Sequence, residues 1–170
     1  MASIINLSLR GLQFLWTLLI MALVGNMIAD AKSGNPSIVN YAMFVSVFGM
    51  LSLFYLIAGT ISENFAISPF FMIAADALNV LFFLVGGIAL AAYLDVHSCG
   101  NDDYVRSNGI TNGSNNPTKR CHEAQAVTAF LWFGFAAFAG SLFFSVLGAK
   151  SGTTSIRAGI RRGGPSMSQV

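Results

Sequence analysis

Charged residues are scarce in this chain. Its 170 residues include nine lysines and arginines and seven aspartates and glutamates, so 9% are charged while 55% are hydrophobic. A soluble domain carries about 25% charged residues because water must wet its surface. The mean hydropathy of +0.67 also argues against a disordered chain, which requires low hydrophobicity. The composition therefore disfavours a soluble enzyme, and a net charge of +2 is too small to indicate nucleic-acid binding.

Common enzyme signatures are also absent. The chain contains no C-x-x-C, H-E-x-x-H, P-loop or G-x-S-x-G motif, and no apolar run holds two carboxylates. These motifs carry thiol-redox, zinc, nucleotide and serine chemistry respectively. We therefore expect a non-enzymatic protein with no catalytic residue and no cofactor.

Long apolar runs dominate what is present. Residues 11–29, 33–62 and 124–149 contain no charged residue, and residues 64–94 contain one. A helix needs about 20 apolar residues to cross the hydrocarbon core of a bilayer. The runs predict an all-α membrane protein, a bundle of four transmembrane helices. The predicted spans are about 12–30, 38–60, 69–94 and 124–147.

Polar segments separate the spans. Residues 30–36 predict a tight turn around a proline. Residues 95–123 form the longest predicted loop. Residues 150–170 are rich in Gly, Ser and Arg, which predicts a flexible basic tail in the cytosol. We therefore divide the chain into a membrane domain, 1–149, and this tail.

The first span has an alternative interpretation as a cleaved signal peptide, because residues 29–31 resemble a cleavage site. The apolar run before them is longer than the core of about 7–15 residues that a signal peptide has. We therefore interpret it as an uncleaved span.

The distribution of basic residues indicates an orientation. Slightly more of them lie beside the termini than in the opposite connections, which favours cytosolic termini. Asn112-Gly113-Ser114 is a glycosylation sequon in the long loop, as expected of an outside segment.

Basic residues beyond the fourth span either contact anionic lipids of the cytosolic leaflet or act only as a topology signal. They are Lys150, Arg157, Arg161 and Arg162.

Two cysteines, Cys99 and Cys121, border the long loop. A disulfide between them would join the ends of the third and fourth spans, as an oxidising compartment allows. Two free thiols are one alternative, and a zinc site with His97 and His122 is another. Zinc is disfavoured because Cys121 and His122 are adjacent and an oxidised pair cannot bind it as thiolates. We predict the disulfide and no metal site.

Asp76 is the one ionisable residue well inside a predicted span, and Asn79 lies a turn further along the same face. An intramembrane carboxylate is by default a candidate functional site. We expect a neighbouring helix to hold Asp76 through a hydrogen bond, with Gln13, Thr17 and Tyr55 as candidates. The competing function is a small channel or transporter that uses Asp76. We disfavour it because no second buried charge is expected to continue a relay.

Small residues and phenylalanines are frequent in the spans. Ala136 and Gly140 lie four residues apart, as do Ala137 and Ser141. Such positions let helices approach closely, either within one chain or between copies. We expect a homo-oligomer on these faces. The 15 phenylalanines indicate lipid contact, with a sterol or sphingolipid surface as one interpretation.

The layout of four spans, with one cysteine near each end of the long loop, resembles that of the MARVEL-domain proteins. It resembles most their fungal subgroup, the non-classical export protein family. The stretches that match are Asn40-Tyr41-Ala42-Met43-Phe44, Asp76-Ala77-Leu78-Asn79, His97-Ser98-Cys99, Tyr104-Val105, Ser107-Asn108, Ile110-Thr111, Arg120-Cys121, Ala124-Gln125-Ala126, Ala129-Phe130-Leu131 and Ser168-Gln169-Val170.

The resemblance implies a non-enzymatic organiser of plasma-membrane microdomains. Family members help to form furrows above eisosomes, influence which transporters cluster there, and are proposed to respond to sphingolipid level. The family name reflects a proposed role in secretion without a signal peptide, which we expect to be indirect. The implied partners are membrane lipids, above all sphingolipid or sterol, together with eisosome and other plasma-membrane proteins. No catalytic residue is implied.

Overall fold

A computed structural model describes residues 4–32, 34–61, 69–95 and 97–161, with side chains described except at 69 and 149–161. Four of its helices are long and apolar enough to cross a membrane. The elements, in chain order, are α1 (Ile4–Ala29), α2 (Ser37–Ile61), α3 (Pro69–Leu94), α4 (Asp102–Ser107), a 3-10 turn (Thr111–Gly113) and α5 (Pro117–Arg161). The predicted all-α membrane protein with four spans is confirmed.

Two helices are longer than their predicted spans. α1 begins at Ile4 rather than near residue 12, because the side chain of Arg10 is buried and its charge does not end the helix. α5 begins at Pro117, inside the predicted loop, since proline suits a first helical turn. The side chain of Asn116 caps this helix by accepting from the backbone N–H of Lys119 at 3.0 Å.

Both ends of the fourth helix therefore differ from the expected layout. Its first turns take up part of the segment 95–123, which was expected to be a loop. At the other end the helix continues to Arg161, through the first residues of the segment 150–170.

Each long helix packs against two others. α1 and α3 both contact α2 and α5, whereas no close backbone contact joins α1 to α3 within the described residues. The helices thus stand at the corners of a four-sided bundle, with α1 and α3 on one diagonal. We call the end at which α1 and α3 begin the terminal end, and the end that carries α4 the loop end.

Large apolar side chains fill the middle of the bundle. Ile20, Leu53, Phe83 and Phe138, one from each long helix, are fully buried there. The rings of Phe83 and Phe138 lie 5.0 Å apart. Gly134 lies directly against the ring of Phe83, so α5 can approach α3 closely only because this residue has no side chain. We call the four apolar residues the central plug.

The outward surface of the bundle is also apolar. Many large apolar side chains of α2, α3 and α5 are more than half exposed, among them Leu51, Phe54, Phe70, Ile88 and Phe143. A soluble monomer rarely exposes so continuous an apolar surface. This surface faces the hydrocarbon of the bilayer.

The contact between Gly134 and Phe83 generates a stability prediction. Gly134→Ala places a methyl group on the ring of Phe83, which cannot move aside within the central plug. We expect the free energy of unfolding to fall by about 1–3 kcal/mol, the usual cost of overpacking.

The measurement is unfolding of the purified protein in bicelles. Gly11→Ala is the matched control, because no atom lies within 4 Å of the position that its methyl group would take. Equal stabilities of the two variants would contradict the packing described for the plug.

Candidate functional site: a buried ion pair across the bundle

The side chain of Asp76 is paired with the guanidinium of Arg10. Arg10 Nη1 donates to Asp76 Oδ1 at 2.5 Å, and Nη2 donates to Oδ2 at 2.8 Å. Arg10 is 2% exposed and Asp76 is 0% exposed. The two-pronged geometry matches the fork of arginine to both oxygens of a carboxylate, which is the strongest form of such a pair.

The pair connects two helices that share no close backbone contact within the described residues. Arg10 is on α1 and Asp76 is on α3, which stand on opposite corners of the bundle. Only a long side chain can reach across that diagonal. The ion pair therefore lies inside the bundle, in its terminal half.

Two further polar side chains attach the pair to α5. Gln13 Oε1 accepts from Arg10 Nη1 at 2.9 Å. Gln13 Nε2 donates to Ser141 Oγ at 2.7 Å and to the carbonyl of Ala137 at 3.0 Å. Ser141 Oγ also lies 3.4 Å from Asp76 Oδ1. Three helices thus share one hydrogen-bonded network.

The expectation of no second buried charge is wrong, because Arg10 is that charge. Arg10 is one of the basic residues beside the termini, which from the sequence alone indicate only the orientation of the chain. Among the three candidate partners for Asp76, Gln13 reaches it only through Arg10 and Ser141. Thr17 donates instead to the carbonyl of Gln13 at 2.7 Å, and the hydroxyl of Tyr55 has no partner.

Asn79 forms no hydrogen bond to Asp76, although the two lie on neighbouring turns of one helix. Asn79 Nδ2 donates to Ser52 Oγ on α2 at 2.7 Å and to the carbonyl of Ala75 at 2.9 Å. The predicted polar pair on α3 is therefore two separate attachments. Asp76 connects α3 to α1, and Asn79 connects α3 to α2.

The hydrogen-bonded network around Asp76 connects helices to one another and is not arranged for catalysis. Both oxygens of Asp76 accept hydrogen bonds from Arg10, so the carboxylate is neutralised and positioned. A general base must reach the proton of a substrate, and here Arg10 donates to both oxygens of the carboxylate. Breaking such a buried pair exposes an uncompensated charge to a low-dielectric interior.

At the loop end the sulfur atoms of Cys99 and Cys121 lie at bonding distance, as in a disulfide.

The ring of His97 stacks on Tyr104 at the same end, with centroids 4.8 Å apart. Burial, and after it the charge of Asp95, raises the pKa of the Tyr104 hydroxyl. That hydroxyl therefore stays protonated and donates to the carbonyl of Leu94.

The described structure does not group the residues of the zinc alternative around one ion position. Within the part of the chain that the structure describes, no three His, Cys, Asp or Glu side chains are grouped to hold an ion. The sulfur atoms of Cys99 and Cys121 lie at bonding distance from each other, and a disulfide between them would leave no thiolate ligand.

A second buried arginine holds the loop end together. Arg120, at 1% exposed, donates from Nε to the carbonyl of Ile110 at 2.7 Å and from Nη2 to Asn35 Oδ1 at 2.8 Å. Its Nη1 donates to the carbonyl of Met27. One side chain thus joins α5, the long loop and the turn between α1 and α2. Sequence analysis matched Arg120 to the family without assigning it this role.

The predicted glycosylation site lies on this loop. Asn112 is exposed on the 3-10 turn, whereas Ser114 is buried and donates to the carbonyl of Asn116 at 2.9 Å. Glycosylation of Asn112 stays a prediction.

The small residues contact side chains of the same chain. A side chain at Gly86 would meet Leu131, and one at Gly87 would meet Trp132. Gly140 lies beside Leu9, and Ala137 is buried, while Ala136 is exposed.

The backbone of α5 carries positions 150, 157 and 161 of the predicted lipid contact, and Arg162 lies outside the described residues.

Comparison with known proteins agrees with this architecture. The model of a membrane-associating domain, MARVEL, matches residues 3–144. Non-classical export protein 102 of Candida albicans is 35% identical over 100% of both chains. Non-classical export protein 2 of Saccharomyces cerevisiae is 36% identical over 81% of this chain and 78% of its own. The Schizosaccharomyces pombe homolog of that protein is 30% identical over 85% and 78% respectively. No solved structure matches the chain.

The fold and the site together define a small four-span membrane bundle held by a buried ion pair. The chain belongs to the MARVEL family, and within it to the non-classical export proteins.

The ion pair predicts a large asymmetry between single and double variants. Arg10→Met or Asp76→Leu alone leaves one buried charge without its partner, so we expect each to lower the free energy of unfolding by about 3–5 kcal/mol. The double variant removes both charges, and we expect it to be more stable than either single variant. Unfolding in bicelles measures all three.

Asp30→Asn is the control. This substitution removes the ion pair between Asp30 and Lys119, and both of these side chains are about half exposed. We therefore expect little change in the free energy of unfolding. Additive effects in the double variant would mean that the two charges do not depend on each other.

The disulfide gives a separate prediction. Replacing Cys99 and Cys121 together by serine opens a loop with a sequence separation of 22 residues. We expect the free energy of unfolding to fall by about 3 kcal/mol, mainly through the entropy of the unfolded chain. Mild reduction of the unaltered protein should reproduce the loss, and stability that is insensitive to both changes would show that the thiols are free.

Proposed function

We propose that this protein is a non-enzymatic organiser of plasma-membrane microdomains. In this proposal it helps to form eisosome-linked furrows, responds to sphingolipid, and affects unconventional secretion only indirectly. Membership of the non-classical export family supports the proposal, since its relatives carry the export name.

The single observation that carries the proposal is that, within the described residues, the buried carboxylate of Asp76 is paired and apolar side chains fill the middle of the bundle. Asp76 is neutralised by Arg10, and the plug of Phe83 and Phe138 fills the middle. The surface available for interaction is the apolar outer face of the helices. Function through contact with lipid is therefore the form of activity that suits the bundle.

An aromatic surface on α2 and α3 suits such contact. Phe82 packs edge-on against Phe44, at 5.4 Å between centroids, and against Phe48, at 5.1 Å. Tyr41 extends the group at 6.1 Å from Phe44. Rigid rings lose little conformational freedom on contact, so they favour ordered neighbours such as sterols and sphingolipids.

The terminal end, in this proposal, faces the cytosol. Positions 157 and 161 follow position 150 by seven and eleven residues, so the helix places all three on one side. Basic residues there, with Arg162 beyond, would meet anionic lipids of the inner leaflet and gain about 1 kcal/mol each. The loop end with Cys99 and Cys121 then lies outside, where a disulfide persists.

Concentration of the protein into a domain also requires contact between copies, so we propose a homo-oligomer. The glycines that approach neighbouring helices are used within the chain, as at Gly86 and Gly134. The contact between copies therefore uses outward apolar side chains, among them Phe133 and Phe143.

The runner-up function is a channel or small transporter centred on Asp76. It would require an open path along the bundle axis past that carboxylate. The pairing of Asp76 with Arg10 and the central plug both disfavour such a path. A liposome flux assay with Asp76→Asn as the control distinguishes the two functions.

Complementation tests the organiser proposal. A Saccharomyces cerevisiae strain that lacks its own Non-classical export protein 2 expresses this chain, and electron microscopy of the plasma membrane counts furrows. We expect the chain to restore furrows. Replacing Phe44, Phe48 and Phe82 together by leucine should weaken the effect.

Phe70→Leu with Phe71→Leu is the matched control, because these rings are exposed at the start of α3, at least eleven residues before Phe82. A chain that reaches the plasma membrane at full level without restoring furrows would contradict the proposal.

A further inference from the structure

Polar residues recur along one buried face of α1. Asn6, Arg10, Gln13 and Thr17 are spaced by four, three and four residues, which places them on a single stripe. Arg10, Gln13 and Thr17 are at most 2% exposed. The next buried residues toward the loop end are apolar, beginning with Ile20. The polar stripe therefore occupies only the terminal half of the bundle.

Four buried polar atoms in the described chain have no hydrogen-bond partner. They are Asn6 Oδ1, Arg10 Nε, Tyr55 Oη and Asn79 Oδ1. All belong to the terminal half of the bundle, because Tyr55 and Asn79 lie on the terminal side of the plug in α2 and α3. Buried polar groups are almost always satisfied by protein or by ordered water. Four exceptions in one region are therefore a localised feature.

The chemistry of these atoms indicates what would satisfy them. Arg10 Nε and Tyr55 Oη can donate, whereas Asn6 Oδ1 and Asn79 Oδ1 can accept. Water both donates and accepts, and it binds in proteins where two to four polar partners converge. The charge of Arg10 is already neutralised by Asp76, so the region has no net charge that would select an ion.

The central plug limits this region on one side. Ile20, Leu53, Phe83 and Phe138 are all 0% exposed. A side chain at Gly49, beside the plug, would meet Phe83, Thr17 and Asn79. The polar stripe thus ends directly against apolar packing.

We propose that the terminal half of the bundle is a water-binding site that is closed toward the loop end by the central plug. The waters bridge the orphaned atoms of Arg10, Tyr55 and Asn79 and extend along the stripe as far as Thr17. This site goes beyond the proposed function and does not depend on it.

The site has a consequence for the ion pair. One-sided hydration lowers the cost of holding Arg10 and Asp76 inside a membrane, where ionisable residues face protein or water. The same plug prevents water from crossing. The bundle is thus hydrated to its middle and yet does not conduct.

Exchange of a thiol proton for deuterium tests the site. Both native cysteines form the disulfide, so one introduced cysteine gives the only S–H infrared band. Thr17→Cys places that thiol at the end of the stripe. Val45→Cys is the matched control, buried at 0% on the loop side of the plug. After transfer to deuterated buffer, we expect Thr17→Cys to exchange at least about 100-fold faster than the control.

Two results would overturn the site. Equally slow exchange would show a dry interior, and equally fast exchange would show water on both sides of the plug. Size-exclusion profiles and an intact disulfide establish that each variant is folded.

Radiolytic hydroxyl labelling of the unaltered protein in nanodiscs covers the case in which a variant fails to fold. Water beside Tyr55 should lead to labelling of that ring well above the level at Phe138. Equal protection of the two rings would contradict the proposal without any substitution.

Discussion

The pair between Arg10 and Asp76 is the interaction on which the arrangement of the bundle depends. Each charge alone would be costly within a membrane, and together they remain buried because every oxygen of Asp76 has a donor. The pair also crosses the diagonal between α1 and α3, which share no close backbone contact among the described residues. One side-chain contact thereby fixes the relative position of two helices that packing alone leaves apart.

At the loop end a different set of contacts fixes the relative positions of the helices. Arg120 joins three segments through carbonyl and amide oxygens, and the Cys99–Cys121 bridge joins the necks of the long loop. With both ends held, the middle needs only apolar packing around Phe83. The outer surface is then free to contact lipid, which is the part of the molecule that the proposed function uses.

Sequence reasoning predicted the four spans because charge-free runs of membrane length have few other interpretations. It predicted the bridge because Cys99 and Cys121 sit at the necks of one loop. It missed the role of Arg10, since a basic residue near a terminus is also the usual topology signal. The spacing of Asn6, Arg10, Gln13 and Thr17 was the available signal. Which helix faces Arg10 depends on how the four helices are arranged around the bundle, and no local sequence pattern encodes that arrangement.

A bundle whose buried charges are paired and whose middle is filled by the central plug acts, in this proposal, through the lipid and protein around it. Extraction into native nanodiscs, with lipid mass spectrometry and particle imaging on one sample, tests it most directly. The account predicts an oligomer enriched in sphingolipid or sterol relative to the surrounding membrane. A monomer surrounded by bulk lipid would contradict it.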